Sequence, residues 1–430
     1  MARAKKIPLI GDFDHIPAEA LVPKEEQPYP LPAHWKWVRL GTTVKNITAK
    51  TESFDAADKY LGLEDLNTGG GILRISDTNG IKSAKTVFQY GDVLYGKLRP
   101  YLNKHAVANF SGVCSTDILA LRPERIIDAA YLDFWLSTPF FLNAAITNSK
   151  GVNLPRVSFN SIARYPFPLP PIEEQKQIVA YLDEKLGKID SVRGKLQDFL
   201  DHADQRKDNL IEAGVTGHLT SHWREDHNAH LKDWQLKQIS DLGEVVTGST
   251  PSTRNPEYYG GEFPFVKPAD LDAGRYIKSA QSFLSQAGAK VSRMLPAKTV
   301  AVCCIGSLGK CGLIEVPAAT NQQINSIIPR SGTHAVYLYY LCSSPKFKAA
   351  MIEKSSSTTL SILNKSRFSK LKFSIPTMGE QEEIARILDE QLERAEKTDK
   401  LVAEVLERLD TMKQQIVSAA LAGRLSLQVS

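Results

Sequence analysis

Basic and amide side chains are concentrated in one short segment of the chain, GDVLYGKLRPYLNK, residues 91–104. The segment reads as a strand followed by a turn. The candidate side chains in that turn are Lys97, Arg99, Tyr101, Asn103 and Lys104. Arginine and lysine suit phosphates or the edge of guanine, and asparagine suits adenine. These side chains could therefore form hydrogen bonds with a nucleic acid. The alternative interpretation is a surface turn whose charges are solvated.

A second polar segment lies in the later half of the chain, between two predicted strands. Its candidate side chains are Thr250, Ser252, Arg254 and Asn255. Hydroxyl, guanidinium and amide groups in such a loop fit contact with a nucleic-acid backbone and contact with bases equally well.

The motifs of a self-sufficient enzyme are missing from the sequence. GSLGKCG (306–312) lacks both the earlier glycine and the following Ser or Thr of an ATP-binding GxxxxGK[ST] loop. NPEYYG (255–260) only resembles the N-P-P-[YF] tetrapeptide with which amino-methyltransferases hold a target nitrogen. A carboxylate–lysine cluster occurs at Asp183, Glu184 and Lys185. It lies on a predicted helix, and we interpret it as part of the solvent-exposed face of that helix. We predict a non-catalytic protein.

Metal binding and membrane insertion are not favoured either. Four histidines occur in a polar linker without a neighbouring cysteine, at His218, His222, His227 and His230, and this spacing is weak support for a metal site. Five cysteines without a CxxC pair suit a reducing compartment. No run of 18 apolar residues and no signal peptide is found, so the prediction is a cytoplasmic protein.

Charge alternates along the chain although the net charge is only +5. Residues 1–165 carry 20 Lys and Arg against 16 Asp and Glu, and residues 221–370 carry 18 against 11. Residues 166–220 carry 7 against 10, and residues 371–430 carry 8 against 11. Two mildly basic modules thus alternate with two acidic segments, which favours the modules as the parts that would meet a polyanion. Uneven solvation charge is the simpler alternative.

The elements that must position these side chains include two long helices. Large apolar residues return at heptad spacing from residue 172 to 217, which is typical of a helix packed along another helix. The same pattern recurs 206 residues later, with 15 identities in 55 positions between 166–220 and 372–426. The predicted seam between the helices consists of Leu182, Ile189, Leu196, Leu210, Leu388, Val402, Leu409 and Ile416.

The repeat makes the chain a tandem duplication, module–helix–module–helix. We predict an α+β protein whose two α/β modules lie in a pseudo-twofold arrangement, separated by two long antiparallel helices. The predicted parts are an irregular arm (1–33), a first module (34–170), a first helix (171–217), a linker (218–233), a second module (234–376) and a second helix (377–426).

Taken in order, these segments resemble the specificity subunits of type I restriction–modification enzymes. The resemblance covers residues 34–426 and depends on the ordered co-occurrence of motifs. The helix starts PLPPIEEQKQIV and IPTMGEQEEIARIL carry it, as do the helix ends AGVTGHLTSHWRED and ALAGRLS. In the modules it is carried by GDVLYGKLRPYLNK, CSTDILALRP, GSTPSTRNPEYYGGEFPFVKPADL, GSLGK and TNQQINSIIP.

The resemblance implies a non-catalytic reader of double-stranded DNA in an adenine-methyltransferase and restriction complex. Each module would be a target-recognition domain for one half of a bipartite, asymmetric target. The helices would set the spacing and dock two methyltransferase subunits. S-adenosylmethionine, ATP and Mg would be bound by those partners and by restriction subunits.

Motif position adds further candidates for DNA contact, namely Thr116, Lys267, Ser307, Lys310, Asn321 and Gln322. Asn321 and Gln322 could instead hold the loops of their own module. The rival interpretation is a non-enzymatic coiled-coil adaptor with two protein-binding modules. It would show neither a bipartite base preference nor a steep loss of DNA binding with salt.

Overall fold

A computed structural model describes residues 8–55, 58–356 and 361–424. These residues form two compact units. The first comprises the chain up to Leu196 together with the residues from Glu404 onward, and the second comprises Gln197–Ala403. Each unit thus contains one module and a segment of each long helical region. The chain is an α+β protein with two modules of mixed helix and sheet, as predicted.

The strands of the first unit form three sheets, of order β1-β11, β2-β10-β7-β8 and β3-β6-β9-β4-β5. They are β1 (Lys36–Arg39), β2 (Val44–Ile47), β3 (Lys50–Thr51), β4 (Lys59–Leu61), β5 (Ser76–Asp77), β6 (Lys85–Phe88), β7 (Val93–Gly96), β8 (His105–Val107), β9 (Gly112–Cys114), β10 (Ile118–Pro123) and β11 (Pro166–Leu169). The helices of this module are α1 (Ala129–Leu136), α2 (Pro139–Thr147) and α3 (Phe159–Ile162).

The central β10 is apolar on both faces because both faces are covered. Leu119 and Leu121 join the apolar cluster of α1 and α2, whereas Ile118 and Ala120 join a cluster with the five-stranded sheet. Alternate side chains of a strand point to opposite faces, so a continuous apolar run is what a covered sheet requires. The four-stranded sheet is therefore the middle layer of this module.

The described part of the predicted arm, residues 8–33, packs onto the first module. It contains short 3-10 turns, and Leu21 makes an isolated bridge to Val38. Ile10 and Ala20 are fully buried in the module's main cluster. Residues 1–7 of the predicted arm lie outside the described residues.

The second unit repeats this plan with sheets of order β12-β22, β13-β21-β18-β19-β15 and β16-β14-β20-β17. Its strands are β12 (Gln235–Gln238), β13 (Gly243–Thr247), β14 (Tyr259–Val266), β15 (Tyr276–Ile277), β16 (Phe283–Leu284), β17 (Met294–Leu295), β18 (Thr299–Cys303), β19 (Cys311–Ile314), β20 (Ala318–Thr320), β21 (Ile324–Pro329) and β22 (Lys372–Ile375). Cys303 and Cys304, at the end of β18, are both buried.

The helices continue in chain order and include three long ones. They are α4 (Ile172–Asp201), α5 (Ala203–Val215), α6 (Ser221–Asp226), α7 (Ile239–Leu242), α8 (Gln286–Val291), α9 (Ala335–Ser343), α10 (Pro345–Lys354), α11 (Lys365–Ser369) and α12 (Met378–Leu421). With 44 residues, α12 is uninterrupted, so its length is about 66 Å at ~1.5 Å per residue.

The first long helical region is not continuous, contrary to the prediction of one helix over 171–217. It is interrupted at His202, between α4 and α5. The His202 ring bonds the carbonyl of Asp198 at 2.6 Å, and the Arg206 guanidinium bonds the carbonyl of Phe199. Side chains that occupy backbone carbonyls in this way disturb the helical ladder and bend it.

Each unit contains an antiparallel helix pair. In the first unit, Lys413 of α12 pairs with Asp190 of α4 at 2.6 Å, and Arg193 pairs with Asp410 at 3.0 Å. In the second unit, Arg206 of α5 pairs with Asp399 of α12 at 2.7 Å. Of the predicted seam, the buried residues are Leu182, Ile189 and Leu388, and the half-buried ones are Leu196, Leu210, Val402, Leu409 and Ile416.

Matching caps end both helical regions. Gly217 follows α5 with φ +82°, and Gly423 follows α12 with φ +66°. The next residues, His218 and Arg424, donate their N–H groups to carbonyls five positions earlier, at 2.8 and 3.0 Å. A glycine in the left-handed region is the usual end of a helix, which explains why Gly217 and Gly423 recur at the 206-residue offset. The described part of the chain has no helix with both the length and the apolar character needed to cross a membrane.

Candidate nucleic-acid interface

The order of strands in the first unit brings two predicted segments to one edge of the four-stranded sheet. β7 ends at Gly96 where its neighbour β10 begins at Ile118, since the two strands are antiparallel. The loop after β7 and the turn before β10 therefore meet, and Lys97 N–H donates to the carbonyl of Asp117 at 2.7 Å. This edge, the first loop edge (residues 97–104 and 115–117), carries the exposed Thr116 beside the 97–104 candidates.

Lys97 is partly buried at the first loop edge, among charges of both signs. Burial lowers the pKa of its ammonium below the usual lysine value. The positive charges of Lys50 and Arg156 also lower the pKa, while Asp117 raises it. Partial burial and the two cations disfavour the charged form of Lys97, and the carboxylate of Asp117 partly offsets them. A bound anion such as a phosphate would offset that cost.

Backbone conformation fixes which side chains of the 97–104 loop face solvent. Arg99 and Asn103 both adopt left-handed φ values, 53° and 43°, which non-glycine residues rarely do. The corresponding turn of the second module has Gly306 and Gly309 at φ 79° and 83°. Arg99 is exposed, and Tyr101 is 51% exposed. These two candidates are free to reach a ligand.

Asn103 and Lys104 have partners within the fold. The Asn103 amide is 6% exposed and donates to the carbonyl of Leu136, at the end of α1, at 3.1 Å. Lys104 Nζ donates to the carbonyl of Leu63 at 2.7 Å. Contrary to the prediction, Asn103 is better placed to hold the loop on α1 than to reach a base. Its backbone turns the amide inward, a direction that residue type does not reveal.

The second unit presents an equivalent edge. β13 and β18 are both antiparallel to β21, and each ends beside the start of β21. β18 also ends beside the start of β19. The loops 248–255, 304–310 and 321–323 therefore lie together. We call them the second loop edge. Thr250 Oγ1 donates to Gln322 Oε1 at 2.5 Å, and Ser249 N–H donates to the carbonyl of Thr320 at 2.9 Å. Thr250, predicted as a DNA contact, therefore lies directly beside Gln322.

Some candidate side chains of the second module are exposed, and others form hydrogen bonds or ion pairs within the module. Asn321 is buried, and its amide exchanges two hydrogen bonds with Gln323 at 2.9 and 3.1 Å. It therefore holds its own loop, the alternative considered from the sequence. Lys310 pairs with Asp272 at 2.7 Å, and exposed Lys267 donates to Ser282 at 2.9 Å. The exposed candidates of the second loop edge are Thr250, Ser252, Arg254, Asn255, Ser307 and Gln322.

Arg156 is a basic residue of the first loop edge that the sequence analysis missed. Its guanidinium lies against both carboxylate oxygens of Asp117, at 3.1 and 3.3 Å, and the side chain is half exposed. It is remote in sequence from the 97–104 loop. No local pattern distinguishes it from other surface arginines.

The repeated Glu-Gln pair in the helix-start motifs attaches each helix to its module. Gln175 accepts the N–H of Asp128 at 2.9 Å and donates to the carbonyls of Ile126 and Pro170, both at 2.9 Å. Gln381 makes the same three bonds, to His334, Gly332 and Pro376. A buried amide whose partners are all satisfied fixes the relative position of two elements.

The adjacent glutamate differs between the copies. Glu174 bonds the indole of Trp35 at 3.0 Å and His34 at 2.8 Å. Glu380, 2% exposed, bonds the indole of Trp234 at 2.9 Å and the buried guanidinium of Arg224 at 2.6 Å. The second copy therefore contains a buried ion pair where the first has a partly exposed hydrogen bond to a histidine.

The linker histidines are dispersed. His218 contacts Thr216 at 2.8 Å, His222 contacts Glu225 at 3.2 Å, and His227 stacks on Trp223 with ring centroids 4.1 Å apart. Among the residues that the structure describes, no group of three or more His, Cys, Asp or Glu side chains is arranged to hold a metal ion.

Comparison with known proteins shows which family shares these two modules. A model of the type I restriction modification DNA specificity domain matches residues 39–198 and 231–408. The specificity subunit of the type I restriction enzyme HindI from Haemophilus influenzae is 26% identical over 420 residues, covering 80% of this chain and 90% of that protein.

Two solved structures share the fold. A chain from work on complex assembly and conformational transition of the type I R-M system has a TM-score of 0.71 at 21% identity and covers 93% of this chain and 100% of that chain. The HsdS subunit from Thermoanaerobacter tengcongensis has a TM-score of 0.65 at 20% identity, with the same coverage.

Proposed function

The chain belongs to the type I restriction–modification DNA specificity family, and on that premise we propose that its two modules each read one half of a bipartite, asymmetric duplex target. The observation that carries this proposal is the pair of loop edges. Two modules of the same plan present the same edge of an equivalent sheet, with different exposed side chains on each. One scaffold with two dissimilar contact surfaces is suited to two different half-targets.

The exposed side chains supply both kinds of contact that a DNA reader needs. Arg99 at the first loop edge and Arg254 at the second suit a guanine edge or a phosphate. Partly buried Lys97 suits a phosphate, because an anion in contact with its ammonium would offset the cost of burying that charge. Tyr101, Thr116, Ser252, Asn255, Ser307 and Gln322 add hydrogen-bonding groups at the two edges.

We further propose that the helices set the distance between the half-targets and dock two methyltransferase subunits. The chain itself would perform no catalysis. S-adenosylmethionine, ATP and Mg would be bound by methyltransferase and restriction subunits, and methylation of an adenine would be their reaction. This division of labour is supported by the missing nucleotide-binding and amino-methyltransferase motifs.

Methylation mapping of DNA from cells that express the chain with methyltransferase subunits tests the proposal. The expected result is one interrupted sequence motif that disappears when the chain is omitted. Methyl transfer by the purified chain alone would contradict the non-catalytic assignment. Binding that ignores sequence and is insensitive to salt would favour the adaptor interpretation instead.

A further inference from the structure

A small hairpin projects at the first loop edge and has no part in the predicted site. Lys150 and Arg156 close it with two mutual backbone hydrogen bonds of 2.8 and 2.9 Å. Between them, residues 151–155 form the tip, where Gly151 adopts φ +104°. We call residues 150–156 the basic hairpin.

The basic hairpin is attached directly to the loop that contains the candidate DNA contacts. Leu98 forms a bridge with Arg156, and Arg99 N–H donates to the carbonyl of Pro155 at 2.8 Å. Just after the hairpin, Val157 N–H donates to the carbonyl of Lys97 at 3.0 Å. Lys97, Arg99 and the hairpin therefore form one continuous surface.

The tip of the hairpin exposes apolar side chains that the fold does not use. Val152 is 99% exposed, and Leu154 is 46% exposed. Asn153 between them is also exposed. Single exposed apolar residues are ordinary. Here, however, two of them lie at the tip of one hairpin beside cations, which indicates a ligand rather than chance.

The charges identify that ligand. Residues 148–157 contain Lys150 and Arg156 and no acidic residue, and Lys97 and Arg99 lie beside them. Asp117 pairs with Arg156, so these four cations outnumber that carboxylate. Lysine is depleted in protein–protein interfaces, whereas lysine and arginine around a small apolar contact are typical of DNA-binding surfaces. The charge complementarity therefore favours duplex DNA over a protein partner.

We propose that the basic hairpin is a DNA-binding element of the first module. Lys150 contacts a phosphate on one side of the tip, and Arg156, whose guanidinium is already paired with Asp117, adds positive charge on the other side. Val152 enters a groove and packs against the edges of base pairs, where a thymine methyl group is its natural apolar partner. This inference rests on the proposed function and adds a specificity-determining residue to the first half-target.

The test compares Val152→Asp with Tyr90→Asp in the full chain, assembled with the methyltransferase subunits used for mapping. Tyr90 is 76% exposed in the same module and precedes β7, so it lies at the opposite end of that strand from Lys97. Both substitutions place one negative charge on an exposed site, and neither removes a packing contact. Affinity is measured by fluorescence anisotropy on the mapped duplex and on duplexes with either half scrambled.

Val152→Asp should weaken binding to the intact target by about tenfold or more, while Tyr90→Asp should leave it unchanged. The difference should persist when the second half is scrambled. It should shrink when the first half is scrambled, because the contact with base edges is lost there while the repulsion between Asp and the phosphates remains. Lys150→Gln should lower the salt dependence of binding by about one phosphate contact.

Two outcomes separate the inference from its premise. If the wild-type complex prefers the mapped duplex but Val152→Asp binds like Tyr90→Asp, the hairpin is not a DNA contact and the proposed function stands. If the wild-type complex shows no preference between the mapped and scrambled duplexes, the proposed function and this inference both fail.

Discussion

In our proposal, the charge of Lys97 lowers the stability of the folded chain and strengthens its binding to DNA. Burial, together with the neighbouring charges of Lys50 and Arg156, lowers the pKa of the Lys97 ammonium in the folded protein more than Asp117 raises it. A phosphate placed against it would reverse that shift. Residues that reduce stability and are kept for binding are common at functional sites, and this cost is consistent with our proposal that Lys97 contacts a phosphate.

Lys97→Met should stabilise the folded chain and weaken its binding to DNA. Because the folded-state pKa of Lys97 lies below the unfolded value, the charged form costs stability at neutral pH, and wild-type stability rises with pH between the two values. The advantage of Met should therefore be full at neutral pH and disappear as the pH approaches the ordinary lysine pKa. Urea denaturation across that pH range checks the sign.

In the same variant, the slope of log affinity against log salt should fall by about one. The matched control is Lys36→Met, at the exposed first residue of β1, which should change neither the slope nor the pH profile. A Lys97→Met variant that is less stable at neutral pH would contradict the assigned cost.

A second residue-scale prediction uses the difference between the two helix-start glutamates. Glu380→Gln leaves the buried Arg224 charge without its counter-charge, which should cost about 3–5 kcal/mol of unfolding free energy. Glu174→Gln is the matched control, since its partner His34 is largely exposed, and it should cost about 1 kcal/mol or less. Equal losses in chemical denaturation would show that the ion pair does not distinguish the copies.

At the scale of elements, the helices are held by two different kinds of contact. The ends that meet the modules are buried: Ile178 and Leu182 of α4 pack in one cluster with Val417, Ala420 and Leu421 of α12. Further along α4, Asp190 and Arg193 form ion pairs with α12 across a partly exposed surface. Surface ion pairs contribute little, so the apolar ends provide most of the pairing energy in this unit.

Leu182→Asp should therefore unfold the helix pair of the first unit. A carboxylate in this fully buried position has no partner, and we expect a loss of at least about 3 kcal/mol. Val192→Asp, on the exposed face of the same helix, should cost about 0.5 kcal/mol or less. Thermal unfolding measures both, and comparable losses would contradict the assignment of Leu182 to the seam.

At the scale of the whole molecule, the compact units do not follow chain order. The first unit takes the last described part of α12, from Glu404 onward, although its module lies at the start of the chain. The duplication is thus completed by a helix that contributes to both units. Such sharing suits our proposal that the helices, rather than the modules, determine the spacing of the half-targets.

Inserting one heptad near Lys195 in α4 and another near Leu401 in α12 tests this proposal. The apolar stripes stay in register, and each helix lengthens by roughly 10 Å, about three base pairs at ~3.4 Å each. Methylation mapping should show the same half-targets with a wider gap. The added length also rotates the far half-target by roughly 100° about the duplex, so affinity should fall.

The control carries the heptad in α12 alone, which takes Lys413 and Asp190 out of register and should abolish assembly. If the double insertion retains activity with an unchanged gap, the helices do not set the spacing.

Some features were determined by the sequence itself because they depend on neighbours along the chain. The heptad period predicts the long helices, and the 206-residue repeat predicts two modules of one plan. Gly217 and Gly423 mark the helix ends, and Pro139 marks the start of α2. The break at His202 escaped prediction because it depends on side chains bonding to backbone carbonyls, without a proline or glycine as a signal.

The site was decided by tertiary structure. β7 and β10 are separated in sequence but adjacent in the sheet, and only that adjacency brings Lys97, Thr116 and Arg156 together. Asn103 and Lys104 have the residue types of DNA contacts, yet the left-handed turn at Asn103 and the carbonyl of Leu63 hold them within the fold. Residue type and spacing describe what a side chain can bind. Which side chains remain free to bind is set by strand order and backbone conformation, through contacts between residues remote in sequence.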